Sequence, residues 1–262
     1  MSGKYLTFVI ALATALIALG LLPGARTPAL MVDIQAFTMF FDDDLWKSLN
    51  VFGHFLGAAS ILLLITRKML IVWALVLSAL LGGCISRVLK LTLDVPRPAA
   101  LMHEDLFIIG EKLTHGSMPS GHSMTIAIVF GLFLSLYPRF TPKAQRLGLP
   151  LTALVALVCL ARVASGAHWP ADVFMGAGLG LLIGCISALT VLRWESSLPR
   201  HEALNDGFRL LIASALVLVP LPPSCSLEAS VALGLSLATW HFLKKNRIAR
   251  AWSPNLKSTR QY

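Results

Sequence analysis

The stretch VFMGAGLGLLIGCISALTVL, residues 173–192, contains no charged side chain and no proline. A helix needs roughly 20 apolar residues to cross a hydrocarbon layer about 30 Å thick, and this run has that length. Within such a layer only a helix or a closed barrel satisfies its own backbone, so the stretch predicts a transmembrane helix. Similar runs occupy residues 5–22, 51–66, 69–89, 123–137 and 147–163. Two more apolar segments follow, 208–221 and 227–243. The first of these is short for a span, which leaves a re-entrant hairpin open for the pair.

Composition agrees with this pattern. The 262 residues are 56% hydrophobic and 13% charged, about half the charged fraction of a soluble domain. The expected fold class is an all-α integral membrane protein, a six-helix transmembrane core bundle with an extra C-terminal pair of membrane helices. Lys4 ahead of the first run also fits a signal peptide. The length of that run, with no small-x-small cleavage site after it, favours a retained span. The net charge of +9 would raise nucleic acid as a partner of a soluble protein. In a membrane protein it reflects basic cytoplasmic loops, and no nucleic-acid partner is expected. Cys84, Cys159, Cys185 and Cys225 lie in or beside apolar runs without metal-ligand spacing, so they read as small buried residues.

Loop charge orients the bundle. Arg67 and Lys68 separate the second and third runs, and Arg139, Lys143 and Arg146 the fourth and fifth. Arg193, Arg200 and Arg209 separate the sixth and seventh, and Lys244, Lys245, Arg247 and Arg250 follow the eighth. All fall on one face if the N-terminus is cytoplasmic, and that face is then the inner one. The opposite face receives Asp42, Asp43 and Asp44, but also Arg87, Lys90, Arg97 and Arg162. These cations oppose the orientation signal. Snorkelling to lipid headgroups is one explanation; the neighbouring residues supply another.

Three outer segments concentrate the polar chemistry: Lys90 to Pro98, Met118 to Ser123, and Arg162 to Asp172. Lys90 and Arg97 supply fixed positive charge, and the planar fork of Arg97 suits a phosphoryl group. Pro119-Ser120-Gly121 is a turn that presents a helix N-terminus, whose free N–H groups and dipole favour a bound phosphate. Gly121 permits close approach of the backbone, and Ser120 adds a hydroxyl donor. His122 stands on the first turn. His168 and Asp172 are four residues apart; if that stretch is helical they share a face, and the carboxylate orients the imidazole as a nucleophile. Each element alone is weak, since a Ser-Gly-His turn or a His-x-x-x-Asp pair is common by chance. Their joint occurrence on one face is specific.

At these residues the sequence resembles the type 2 phosphatidic acid phosphatase family, which also includes vanadium haloperoxidases. That family's signature is Lys-x6-Arg-Pro, then Pro-Ser-Gly-His, then Ser-Arg-x5-His-x3-Asp. Lys90 and Arg97-Pro98 match the first part, Pro119 to His122 the second, and Arg162, His168 and Asp172 the third. Ala161 stands where the family usually has serine. The resemblance implies that His168 attacks phosphorus to form a phosphohistidine, with Asp172 orienting it. His122 protonates the leaving oxygen and then activates water, while Lys90, Arg97, Ser120, Gly121 and Arg162 hold the phosphoryl oxygens. It implies no metal and no cofactor. It also divides the chain into a catalytic transmembrane domain, 1–192, and a region 193–262 with a cytoplasmic loop, the extra hairpin and a basic tail.

The function expected is hydrolysis of a lipid phosphate or diphosphate at the extracytoplasmic face of the cell membrane, with both termini cytoplasmic. Undecaprenyl diphosphate is the first choice of substrate and phosphatidylglycerol phosphate the second. A lipid-to-lipid phosphotransferase or a lipid A phosphatase would use the same site. A polytopic transporter would instead place its charges within the spans, and a haloperoxidase is disfavoured by the membrane bundle. Outside the motifs, His103 and His115 read as exposed loop histidines, with His115, close before the cradle, also placed to contact substrate, and Arg87 as a further phosphate ligand or a headgroup contact. Asn50 and His54, one helical turn apart at the outer end of the second run, form a polar pair that can face the pocket, since intramembrane histidines rarely face lipid. His201 and His241 fall on the other face. Trp169 and Trp194 suit interfacial anchoring.

Overall fold

The apolar runs fold as helices that stop where the sequence supplies caps or breakers. The computed structural model describes residues 3–102 and 106–252, with side chains for 6–102 and 106–243. His103 and the side chains of Lys244, Lys245, Arg247 and Arg250 lie outside the described residues. Helix α1 (Gly3–Leu21) ends just before Pro23 and is followed by a 3-10 turn, Pro23–Arg26. Thr27 caps α2 (Pro28–Thr38), its Oγ1 accepting from Leu30 N, and Asp42 caps α3 (Asp43–Gly53) by accepting from Asp44 N. Then come α4 (Phe55–Ile65), α5 (Met69–Leu93), the short α6 (Pro98–Leu101), α7 (Gly121–Ser135) and the short α8 (Pro142–Gln145). The last four are α9 (Gly148–Ala164), α10 (Pro170–Arg193), α11 (Glu202–Leu218) and α12 (Leu227–Trp252).

The protein is an all-α integral membrane protein. Met69–Leu101, Pro142–Ala164 and Pro170–Arg193 are long and apolar enough to cross a bilayer, and α3 with α4 adds a fourth crossing if that bent pair is one span. Leu6–Leu21, Gly121–Ser135 and Leu227–Leu243 are shorter apolar helices. The run at 51–66, expected as one helix, is two. The chain bends by 73° between α3 and α4, with His54 extended at φ −79° and ψ 145°. Glycines permit the fold-back: a Cβ on Gly57 would lie 2.0 Å from Val51 O, and one on Gly53 would lie 2.5 Å from His122 Cδ2.

Along α10, Gly176, Gly180 and Gly184 recur at one-turn spacing against α7. A Cβ at these positions would stand 2.4 Å from Ser120 O, 2.3 Å from Met124 O and 2.4 Å from Ile128 O. Small residues let the two backbones touch, which is the usual way helices pack tightly where lipid offers no hydrophobic drive. The contact brings the start of α7 beside the start of α10, and Ser120 N donates to Asp172 O at 2.9 Å.

The hairpin of α11 and α12 packs on α4. Arg209, placed by loop charge between the sixth and seventh spans, is instead a completely buried residue of α11. Its guanidinium donates to Asn205 Oδ1 at 2.8 Å and to the Leu63 and Thr66 carbonyls at the end of α4, and it lies 5.1 Å from the Trp240 ring centroid. Carbonyls at a helix C-terminus lack helical partners, and a cation there satisfies them. At the other end of the hairpin, Ser226 N donates to Lys47 O, and Asn50 Nδ2 donates to Ser224 O at 2.9 Å.

Candidate active site

The turn between α9 and α10 carries His168. Gly166 takes φ +68°, where a Cβ would sit 2.2 Å from Phe107 O, so a side chain is excluded on both counts. The Ala167 and His168 N–H groups both donate to Arg162 O, and Pro170 then opens α10. Asp172 sits at the third position of α10, where its Oδ2 accepts from Trp169 N at 3.0 Å and from Ser117 Oγ at 2.5 Å. His168 Nδ1 lies 3.7 Å from the same Oδ2. The helical His168–Asp172 register expected from the sequence is absent. His168 precedes the helix, and the carboxylate meets it across the N-terminal cap, because Pro170 starts the helix two residues too late.

Ser120 caps α7: its Oγ accepts from Ser123 N at 3.5 Å and from Ser123 Oγ at 3.0 Å. That leaves the Ser120 hydroxyl hydrogen and the first N–H groups of α7 for a ligand. Nothing lies within 4 Å of where a Cβ on Gly121 would stand, so the backbone there is open to close approach. His122 Nε2 is buried with no hydrogen-bond partner, and so are Nε and Nη1 of Arg162, whose side chain is 5% exposed. Buried donors without partners are costly. Two such nitrogens on a guanidinium describe a cradle for an oxyanion.

The other two cations are held by main-chain oxygens. Lys90 Nζ donates to Gly116 O at 2.8 Å, and Arg97 donates from Nε to His115 O and from Nη1 to Ala167 O, both at 3.0 Å. Carbonyls position these side chains without cancelling their charge, which keeps the site positive. Burial first, then the Arg97, Arg162 and Lys90 cations, hold the His168 imidazole well below the usual histidine range. A neutral imidazole facing a positive cradle can act as nucleophile toward a phosphoryl group. The His122 imidazole is held well below the usual histidine range too, by burial first and then by Arg162, His168, His54 and Lys90. The negative charge of a bound phosphate is what favours the protonated, proton-giving form of His122. Among the described residues no group of three or more His, Cys, Asp and Glu side chains is placed to hold a metal ion.

Lys90, Arg97, Ser120, Gly121, His122, Arg162, His168 and Asp172 thus stand around one end of the bundle. Of the neighbours weighed from the sequence, Arg87 is exposed, and His115 is an exposed side chain 3.7 Å from Asp94 Oδ1 that serves the site through its carbonyl. Asn50 and His54 are not a pair: the bend turns Asn50 to the hairpin and His54 to a groove beside His122. Trp169 is no interfacial anchor, since it is buried with Nε1 donating to Pro96 O at 2.9 Å. Trp194 is 58% exposed.

Three contributors were missed by sequence reasoning. Ser117 holds Asp172. Gln35, on α2, accepts from Phe107 N and donates from Nε2 to the Phe107, Val163 and Ala164 carbonyls, tying the outer loop to the end of α9. Arg26 forms an ion pair with Asp172 Oδ1 at 3.5 Å. Arg26 carried a signal, being another cation on the face that loop charge predicts to be poor in them. Ser117 and Gln35 carried none.

The sequence has counterparts among known proteins. A family model, the PAP2 superfamily, matches residues 71–196. The match covers just under half of the chain. With the relatives that follow, it makes the protein a phosphatase of phosphate esters, and its apolar helices make it a multi-pass membrane protein. A lipid A 1-phosphatase from Rhizobium etli is 25% identical over 199 residues, which are 71% of this chain and 82% of that one. Phosphatidylglycerophosphatase B from Bacillus subtilis is 35% identical over 105 residues, 38% of this chain and 47% of that one. A crystal structure of a transmembrane PAP2-type phosphatidylglycerolphosphate phosphatase from Bacillus subtilis aligns with a TM-score of 0.45 and 18% identity, covering 75% of this chain and 96% of that one.

Proposed function

We propose that this PAP2 phosphatase removes phosphate from a membrane lipid whose hydrocarbon arm stays in the bilayer, through a phosphohistidine on His168. The observation that carries the lipid reading is the groove of about 300 Å³ beside His122, walled by Leu75, Ala79, Gly82, Met124, Ile128 and Val129. A leaving group protonated by His122 departs on the side where this apolar groove opens, so an alkyl chain attached to that oxygen has a place to lie.

The steps follow from the polar atoms. The phosphoryl oxygens accept from Arg162, Lys90, Arg97, Ser120 and the main-chain N–H groups that open α7. Neutral His168 attacks phosphorus through Nε2 while Nδ1–H faces Asp172, and the P–N bond forms as the bond from phosphorus to the leaving oxygen breaks. His122 gives that oxygen a proton and the lipid alcohol leaves. Water then attacks the phosphohistidine, His122 takes a proton back, and inorganic phosphate departs with His168 restored. The cradle acts by stabilising charge on the equatorial oxygens.

The basic loops between the helices, opposite the site, support an extracytoplasmic active site in the cell or inner membrane with both termini cytoplasmic. Domain boundaries at 1–192 and 193–262 remain part of the same reading. The substrate panel begins with lipid A 1-phosphate and phosphatidylglycerophosphate, after the relatives, and includes undecaprenyl diphosphate, first on sequence grounds. Purified protein in detergent is expected to release inorganic phosphate from at least one of these faster than from glycerol phosphate, and His168→Ala to abolish release. Parent-rate release by His168→Ala, or a preference for the soluble ester, would sink the reading.

A further inference from the structure

Asp172 is completely buried, and its two oxygens are treated differently. Oδ2 accepts from Ser117 Oγ and Trp169 N and faces His168 Nδ1. Oδ1 accepts no hydrogen bond; it lies 3.5 Å from Nη2 of Arg26. Among the described residues Arg26 is the cation within ion-pair distance of this carboxylate. It reaches Asp172 from the 3-10 turn after α1, outside the 71–196 stretch that the family model matches.

The reach is built into the fold. Gly20 lets α1 touch α10, since a Cβ there would stand 2.8 Å from Met175 N and 2.9 Å from Ala171 O. Ala25 packs with Met118 and Ala171, and Arg26 Nη2 also donates to Met118 Sδ at 3.2 Å. The Arg26 side chain is 35% exposed, so its charge stays partly solvated while its tip meets a carboxylate that water does not reach. A buried carboxylate without a cation gains a proton or turns toward another donor.

We infer that Arg26 is a positioning residue for the phosphatase reaction: it holds Oδ1 of Asp172, so that Oδ2 stays anionic and aimed at His168 Nδ1. The inference rests on the reading of His168 as nucleophile with Asp172 as its orienting group. Positive charge grows on the His168 ring as the P–N bond forms, and an anionic Asp172 stabilises it. The other groups facing Asp172 have other partners. Arg97 is held by the His115 and Ala167 carbonyls, Lys90 by Gly116 O, and Ser117 and Trp169 are neutral donors. Arg26 therefore opposes proton uptake by the His168–Asp172 pair whichever member receives the proton.

The test uses the full-length protein in detergent with a lipid phosphate, comparing Arg26→Ala, Arg26→Lys and His168→Ala across the acid-to-alkaline range. Arg26→Ala is expected to lower kcat by about ten- to hundredfold near neutrality, the size of effect seen when a charge-assisted contact is lost, with little change in KM. Its acid limb should move to higher pH, so that part of the lost rate returns on the alkaline side. Arg26→Lys should restore both rate and profile. A pH-independent loss that lysine does not rescue makes Arg26 a structural anchor only and overturns the inference. So does an Arg26→Ala profile equal to the parent's beside an inactive His168→Ala. A fully active His168→Ala overturns the underlying nucleophile reading, and this inference with it.

Discussion

Ser117 Oγ donates to Asp172 Oδ2 over 2.5 Å, and neither residue is exposed at all. The same oxygen is the one that faces His168 Nδ1 at 3.7 Å, so Ser117 fixes the direction from which the carboxylate meets the imidazole. Removing a hydrogen bond to a buried charge costs about 1.5–3 kcal/mol. Expressed in the transition state, that is roughly a ten- to hundredfold loss of rate. Ser117→Ala is therefore expected to lower kcat by that factor with KM within about twofold, measured as phosphate release from a lipid phosphate. A kcat equal to the parent's would show that Trp169 N and Arg26 hold Asp172 in place without the serine.

His122 has its own signature. General acid catalysis contributes about 10²- to 10⁴-fold when the leaving oxygen is a poor leaving group. An alkyl phosphate needs that proton, whereas an aryl phosphate with an acidic phenol does not. His122→Ala should lose about 10²- to 10⁴-fold on an alkyl ester and far less on formation of the phosphoenzyme from an aryl ester. His168→Ala should lose activity on both. Rapid mixing with an aryl phosphate separates the two roles: the His122 variant gives a burst of phenol and then slow turnover. Equal losses on both esters would remove His122 from the acid role.

The pH dependence follows from the surroundings of His168. Burial and then the Arg97, Arg162 and Lys90 cations hold it well below the ordinary value of 6.5. A base with a lowered pKa stays neutral to lower pH, so the nucleophile is present at pH 6.5, where an ordinary histidine is half protonated. The acid limb of kcat/KM should accordingly be centred below 6.5. Replacing Arg97 by Gln removes one of the cations and should move the limb upward, toward the ordinary range, in addition to weakening phosphate binding. An acid limb in the parent enzyme at or above 6.5 would contradict the electrostatic account.

The sequence was informative where chemistry is local and silent where it is not. Lys90 and Arg97 are seven residues apart just after one apolar run, and Ser120, Gly121 and His122 are consecutive, so their spacing already describes a cradle. Apolar length and charge disclosed the membrane fold in the same way. Ser117, Gln35 and Arg26 act through partners far along the chain, and no periodicity announces a contact between a serine and a carboxylate 55 residues apart. Trp169 and Arg209 were misplaced for a related reason. Both residue types favour interfaces and loops, and only tertiary packing shows that one donates to Pro96 O and the other closes the end of α4. The bend at His54 was hidden because no proline marks it. Its cause is the space left by Gly53 and Gly57.

That bend gives the last prediction. Gly53 is buried at the end of α3, and a Cβ on it would lie 2.5 Å from Cδ2 and 2.7 Å from Cβ of His122. Both distances are well inside van der Waals contact, and the second involves an atom anchored to α7, so His122 cannot simply rotate clear. Gly53→Ala must therefore push α3 away from α7 or turn the imidazole from its seat beside the groove. Overpacking of this kind costs about 1–3 kcal/mol, and a shift of the acid by even 1 Å is enough to lower a rate by about a hundredfold. The variant is expected to fold with a modestly lower melting temperature and to lose activity on alkyl phosphates, as His122→Ala does. Its burst with an aryl phosphate should survive, because His168, Asp172 and the cations are not touched by the change. Calorimetry in detergent and the two-ester comparison test both halves. Loss of the aryl burst as well would mean that the α3–α4 bend supports the cradle itself and not only the proton donor.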